Sequence, residues 1–594
     1  MGELRWILPY FRPYKRGLII GLVCVLLTNA FQVVGPWLIK LAIDGLADPD
    51  MTGARILGLA LTIVAAAAIG GAFRFWMRLH LNGISRRIET DLRNDFFKHL
   101  LAMDATFFGD LRTGDLMSRA TNDTMAVRMA TGPAIMYTVN TVASFVFALA
   151  FMLWISVQLT LYAMIPMLVL PVIVLGFGRM IHRRFEEIQD QFSSLSTFVQ
   201  ENLTGVRIVR AYTQEREQAQ QFAEFNEDYR RKNMRLVVTT GALHPLLMLI
   251  SGVAMVLVTW LGALEVIAGT ITVGAFVAFG FYLVLLIWPM IALGWVVTLF
   301  QRGAASMGRL NRIFEAKSTL LTTARPAPFE RARGAVEFRG VTFAYPGSDR
   351  HVLEEVDFSV APGETVAIVG PTGSGKSTLI ALLARLYDPS SGQIFLDGVP
   401  LTDLDPSALR RQLGVVPQDP FLFSDTIEGN ISLGSGSVRR DEVSSVHDLV
   451  RDAAAVAQLH DQIMEFPDGY STRLGERGIN LSGGQKQRAT LARAIARAPV
   501  VLVLDDALSA VDTHTESYIL TELGAVMAEC TAFIISHRVS AVMHADKILV
   551  LEDGHIVQQG THVELIKTEG TYARLLRRQL LQDDLSDEPV AVDL

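Results

Sequence analysis

The most explicit chemistry lies in one short stretch of the second half. Gly370-Pro371-Thr372-Gly373-Ser374-Gly375-Lys376-Ser377 fits the pattern GxxxxGK[ST]. It follows an apolar, β-branched run, Val366–Val369, and Thr378-Leu379-Ile380 then opens a helical pattern. Strand, loop and helix in that order make a phosphate cradle. Gly373 and Gly375 let backbone N–H groups curl around phosphate oxygens. Lys376 neutralises β and γ charge, the Ser377 hydroxyl can ligate Mg²⁺, and the helix N-terminus adds a favourable dipole. A second apolar run, Val500–Leu504, ends in Asp505 and Asp506. Asp505 is placed to hold Mg²⁺, directly or through water, and Asp506 is placed to orient an attacking water. Apolar strands often end in a surface Asp; downstream of a phosphate loop, the pair points to ATP hydrolysis.

These residues need a sheet to hold them. After residue 335 short β-branched strands alternate with helical patterns, which predicts an α/β domain over 335–580. Residues 316–334, with Pro326 and Pro328, read as a linker, and 581–594 as a short acidic tail.

The first half, 1–315, has a different character. Half of all residues in the chain are hydrophobic, and the excess sits here. Apolar runs long enough to cross a bilayer cover Gly17–Ile39, Ile56–Phe73, Leu236–Leu264 and Ile271–Gln301. Met129–Gly178 contains no charged residue and is too long for one span, so it reads as two, turning near Ser156–Gln158. Soluble helices rarely stay apolar all round for six segments. Arg74–Arg128 holds nine Lys or Arg and Arg179–Arg235 holds ten, whereas the three opposite loops hold only Lys40 and Arg55. The positive-inside rule places both long segments and the N-terminus in the cytosol. Both segments have helical periodicity and would extend the spans by about 35–40 Å at 1.5 Å per residue. Their tips are expected at Thr106–Asp123 and Ala211–Gln221, as short docking helices or as solvated loops. Pro166, Pro171, Pro245 and Pro289 are candidate kinks. The fold class is therefore an all-α polytopic membrane domain of six spans with long cytosolic extensions, followed by an α/β phosphate-loop NTPase domain.

Net charge of −7 gives no sign of a nucleic-acid partner, and two cysteines, Cys24 and Cys530, make neither a disulfide framework nor a metal site. The first apolar run is too long for a signal-peptide core, so no cleavable signal is expected.

Between the phosphate loop and Asp505 lies Asn480-Leu481-Ser482-Gly483-Gly484-Gln485-Lys486-Gln487-Arg488. Leu481–Gln485 resembles the LSGGQ signature of the ATP-binding cassette (ABC) family. Other elements resembling the family's follow in order. Tyr345 is similar to the aromatic that stacks on adenine, Gln418 to the Q-loop glutamine that reaches Mg²⁺, Asp512 to the D-loop aspartate and His537 to the switch histidine. Gly475-Glu476-Arg477-Gly478 resembles the exporters' X-loop, and Thr113-Gly114-Asp115-Leu116 and Glu201-Asn202-Leu203-Thr204-Gly205 resemble segments near the exporters' tips. The resemblance covers essentially the whole chain. It implies two cassettes paired head to tail, each ATP held between the phosphate loop of one and the signature of the other, and alternating access across a plasma or bacterial inner membrane. It implies catalytic roles for Asp506, Gln418 and His537, and nucleotide contacts from Tyr345, Gly370–Thr378, Leu481–Gln485 and Asp512.

One departure matters. Most cassettes carry Glu after the Mg²⁺ aspartate; here it is Asp506, one methylene shorter. A misplacement of about 1 Å can cost on the order of 10² in rate. With an intact signature, this resembles the slow member of a heterodimeric exporter whose sister chain carries Glu. A homodimer with a tolerated Asp is the alternative, and a channel or regulatory subunit on the same scaffold is another class. A channel should show pore charges, and no span carries a charge well inside it. Phe145, Phe147, Met152, Trp154, Phe276, Phe279, Phe281, Tyr282, Trp288 and Trp295 could re-pack around hydrophobic small molecules or lipids, or serve simply as packing.

Overall fold

The computed structural model describes residues 2–46, 51–320, 327, 329, 332–436, 443–536 and 542–578. His537, Pro326, Pro328 and the 581–594 tail lie outside the described residues. Two compact units form: Met1–Ala102 with Leu111–Lys317, and Met103–Asp110 with Ser318–Leu594.

In the first unit the apolar runs become α1 (Lys15–Gly45) and α2 (Gly53–Leu101). Past the short α3 (Ala105–Asp110), which belongs to the second unit, come α4 (Thr113–Ile155), α5 (Val157–Thr204), the short α6 (Val206–Ala211), α7 (Glu215–Ile267) and α8 (Val273–Glu315). Six helices among the described residues are long and apolar enough to cross a membrane. The 49 residues of α2 reach about 70 Å at 1.5 Å per residue, against about 30 Å of hydrocarbon, so the extensions are helical arms.

The uncharged stretch does divide at Ser156. Its backbone is extended and its hydroxyl accepts from Leu159 N–H at 3.1 Å, capping α5. Thr272 caps α8 in the same way through Ala275 N–H. Pro166, Pro171, Pro245 and Pro289 lie inside continuous helices.

Close packing ties the arms together. A Cβ on Gly132 would stand 2.4 Å from Ser85 Cβ, and one on Gly303 would stand 2.3 Å from Ala130 Cβ, so α2, α4 and α8 approach more closely than larger side chains allow. Buried Glu89 on α2 pairs with Arg93 at 2.9 Å and with Arg128 of α4 at 3.3 Å. Asp123 of α4 receives both arms of the Arg309 guanidinium from α8.

Both tips are helical, but their bounds differ from expectation. The first, α3, is shorter than Thr106–Asp123, because Thr113 already restarts a helix. The second is α6 with the turn Tyr212–Gln214; Glu215 begins α7, so Ala211–Gln221 runs too far along the chain. Glu215 and Glu217 favour that start, since acidic side chains suit the positive end of a helix.

The second unit holds two sheets. One is antiparallel, in the order β2 (His351–Val360), β1 (Val336–Ala344), β4 (Ser391–Leu396) and β5 (Val399–Pro400). The other runs β10 (His555–Gly560), β9 (Lys547–Glu552), β3 (Thr365–Val369), β8 (Thr531–Ile535), β7 (Val501–Asp505) and β6 (Leu413–Val416). All its pairs are parallel except β9 with β10. The two apolar runs singled out in the sequence are β3 and β7, separated by β8 and almost wholly buried. Burial on both faces explains their continuous apolar character. Their C-terminal ends lie at the same edge of the sheet, where ligands of open α/β folds bind.

Candidate nucleotide site

The phosphate loop leaves β3 and enters α9 (Lys376–Leu383). Gly370, Gly373 and Gly375 have φ of +156°, +84° and +102°. Glycine at 375 is doubly required: a Cβ there would stand 2.9 Å from Val352 O and 2.7 Å from Leu353 Cδ2. The Lys376 ammonium donates to Gly370 O at 2.9 Å and Pro371 O at 2.7 Å, within the loop. Burial lowers its pKa from the ordinary lysine value, while Asp505 and Asp506 oppose that shift.

A cavity of about 220 Å³ follows the loop. Thr372, Gly373, Gly375, Lys376, Ser377 and Thr378 line it, with Gln418 after β6, Asp505 at the end of β7, and Asp506. Val352 of β2 and Ile535 of β8 complete the wall. Neither was legible as a site residue, because each is an ordinary apolar strand position brought there by sheet order. Tyr345 joins the site through its hydroxyl, 3.0 Å from Thr378 Oγ1, and packs edge-on against Tyr387. It remains 37% exposed, so one side is open to a ring.

Asp506 sits in the left-handed region, φ +49°, and its N–H donates to Ile535 O at 2.9 Å. Aspartate tolerates that conformation better than most residues.

Leu481–Gln485 do not line this cavity. They form the start of α10 (Gly483–Ile495), where Ser482 and Gln485 make a reciprocal capping box: Ser482 Oγ accepts from Gln485 N–H at 3.2 Å and Gln485 Oε1 from Ser482 N–H at 2.9 Å. Ser482 is exposed and its hydroxyl proton remains free to donate. The amides of Gly483 and Gly484 belong to the first helical turn, which has no intrahelical acceptors. Asp512 caps α11 (Thr513–Met527), accepting from Thr515 N–H at 2.9 Å; hydrogen bonding from Thr515 holds its carboxyl below the usual range. Glu476 is exposed at the start of a 3₁₀ turn before the signature.

The donor set fits Mg²⁺ and a triphosphate. Ser377, Gln418 and Asp505 offer only oxygen ligands, as a hard cation requires. The Ser374 hydroxyl is buried in the loop without a hydrogen-bond partner among the described residues.

Residues 18–290 match the ABC transporter transmembrane region, and residues 353–509 match the ABC transporter domain. The chain is 37% identical to "Multidrug resistance-like ATP-binding protein MdlA" of Escherichia coli (strain K12), covering 99% of this chain and 98% of the relative. This chain belongs to the ABC transporter family. It is also 32% identical to "ATP-dependent lipid A-core flippase" of Syntrophus aciditrophicus (strain SB), over 99% of this chain and 96% of that protein. The solved "Structure of a bacterial Atm1-family ABC exporter with ATP bound" superposes with a TM-score of 0.76 at 29% identity, covering 95% of this chain and 98% of that one.

The chain is thus an ABC exporter: a multi-pass inner-membrane protein with a cytosolic ATP-binding domain, an ATPase coupled to transport, using ATP with Mg²⁺ and working as a dimer.

Proposed function

We propose that this chain is the slower-hydrolysing half of an asymmetric exporter that moves hydrophobic or amphipathic small molecules or lipids out of the cytosol or inner leaflet. The observation that carries the asymmetry is Asp506 beside the phosphate loop, combined with an intact signature whose Ser482 and Gly483 are exposed. Lys376 and the loop amides bind and neutralise the phosphates, and Tyr345 stacks on the adenine. Ser377, Gln418 and Asp505 would hold Mg²⁺, which would supply charge stabilisation at the phosphoryl oxygens. Asp506 orients water from a carboxylate one bond too short. The α10 N-terminus, with Ser482 and the glycine amides, faces the γ-phosphate held by the partner's loop. His537 is assigned as the switch histidine by resemblance alone, as it lies outside the described residues.

The multidrug and lipid names of the relatives support an apolar substrate class. The helices refine which aromatics could meet it. Met152, Phe279 and Tyr282 are fully buried among neighbouring helices, and the Tyr282 hydroxyl donates to Val33 O at 2.8 Å, so these three are packing residues. Trp154, Phe281, Trp288 and Trp295 remain exposed.

Two measurements test the reading. The mass of the purified complex should equal this chain plus an unlike sister; two copies of this chain would overturn the asymmetry. Inverted vesicles carrying the complex should accumulate a hydrophobic dye or a labelled lipid with ATP, and failure with both would overturn the substrate class.

A further inference from the structure

Gln487, two residues beyond the signature, is 3% exposed, and both ends of its amide are engaged. Its Nε2 donates to Ser509 Oγ at 2.8 Å and reaches Asp506 O at 3.5 Å. Its Oε1 accepts from Ala510 N–H at 2.8 Å. The orientation is fixed by its partners, since an amide N–H can only donate and a peptide carbonyl can only accept. One side chain on α10 therefore holds three successive points of the turn that follows β7.

A second contact reinforces the first. A Cβ on Gly484 would stand 2.9 Å from Ala510 O, so the first turn of α10 lies directly against the same segment. Ser509 N–H donates to Asp506 O at 3.2 Å, and Asp506 is itself held to β8 through Ile535 O. The chain of contacts runs from the signature, through Gln487, to the residue beside the chain's own phosphates.

We infer that Gln487 is a positioning residue that clasps the signature helix to the Asp506–Ala510 turn, so that the two move as one body. The signature reads one nucleotide and the turn borders another. A clasp between them makes a displacement at either nucleotide a displacement at both, because a buried, fully satisfied amide has no low-cost alternative partner. Coupling between the two ATP sites then passes through this side chain as a reciprocal free energy. The inference rests on the proposed pairing of Ser482–Gln485 with the partner's nucleotide.

The test uses the assembled full-length transporter. Gln487→Leu keeps the side chain's volume and removes every bond of the clasp; Ser509→Ala removes one. Steady-state ATP turnover is measured against ATP concentration, fluorescent-nucleotide binding at this chain's phosphate loop by titration, and thermal stability by scanning. Gln487→Leu should lower kcat by on the order of 10-fold, as a loss of positioning does, and should bring the Hill coefficient to that of independent sites. Nucleotide affinity should stay within about 2-fold, since no phosphate-loop contact is lost. Ser509→Ala should act in the same direction, more weakly, and add less than its own effect to Gln487→Leu. Unchanged kcat and cooperativity in Gln487→Leu would overturn the clasp. So would a fall in turnover matched by equal losses of affinity and thermal stability, which marks a purely structural role. The parallel variant Ser482→Arg separates the two readings. If it leaves turnover unchanged, the pairing is wrong; if it lowers turnover while Gln487→Leu leaves kcat and cooperativity unchanged, only the clasp is wrong.

Discussion

The phosphate loop and the signature are both helix N-termini built for anions, and they differ in what surrounds them. The loop is enclosed. Ser374, Lys376 and Thr378 are buried, Asp505 is buried opposite, and a cavity lies between. The signature is open. Ser482 and Gly483 are exposed, and the capping box that shapes the turn uses the Ser482 oxygen and the Gln485 amide but not the Gly483 and Gly484 amides. A site that is locally finished yet borders no phosphate of its own is half of something. This asymmetry within one domain is the structural reason to expect that ATP is completed between chains.

The comparison can be broken at several points. The largest effect is expected from Lys376→Ala, which removes the only buried cation among the cavity-lining residues. Hydrolysis at this chain's own loop should fall by on the order of 10² to 10³, as when one preorganised charge-stabilising donor is lost. Nucleotide binding measured by titration should weaken with it; retained binding would mean that the loop is not the enclosed half. Next comes Ser482→Arg. Nucleotide binding at this chain's own loop should survive, while turnover of the assembled dimer drops by about 10-fold or more, because the damage falls on the partner's phosphates. Third is Asp506→Asn. In an asymmetric pair most transport-coupled ATPase should persist, within about 2-fold, because this chain's loop contributes little hydrolysis. Abolition of turnover by that single change would make Asp506 a working base.

How much of this was visible in the sequence follows from how local each feature is. β3 and β7 were legible because strands buried on both faces must be continuously apolar, and the loop glycines were legible because close backbone approach excludes side chains. The six spans were legible because hydrocarbon tolerates little else. The tips were harder. Charged, amphipathic arms have weak boundaries, and the useful signal at the second tip was the acidic start of α7 at Glu215 and Glu217. The site walls Val352 and Ile535, and the grip of Gln487 on Ser509 and Ala510, could not be read from spacing. They depend on sheet order and on turns some twenty residues apart. The left-handed backbone at Asp506 was equally silent.

The two tips repeat the contrast between finished and unfinished surfaces, and they yield the smallest prediction. No residue of α6 is buried; Leu203 just before it and Tyr212 just after it are 70% and 74% exposed. The first tip, α3, belongs to the same compact unit as the ATP-binding domain, and Asp104 at its start is only 6% exposed. Asp104 accepts from Phe107 N–H at 3.0 Å, from Ser318 Oγ at 2.9 Å, from Thr319 Oγ1 at 2.8 Å and from Thr319 N–H. Burial raises its pKa, but these hydrogen bonds together outweigh burial and hold the carboxyl below the usual carboxylate value. Because the folded value is the depressed one, the stabilisation is fully present above the unfolded carboxylate pKa and is lost as pH falls through the folded value. Amide exchange across Ala105–Asp110 should therefore be insensitive to this group between neutral pH and pH 5, after correction for the intrinsic rate, and should accelerate below about pH 4. Asp104→Ala should show the fast exchange already at neutral pH, corresponding to about 2 kcal/mol of lost local stability. Exchange across α6 in the same experiment should ignore the substitution. A pH-independent first tip, or an equal response at both tips, would remove Asp104 as the feature that distinguishes them.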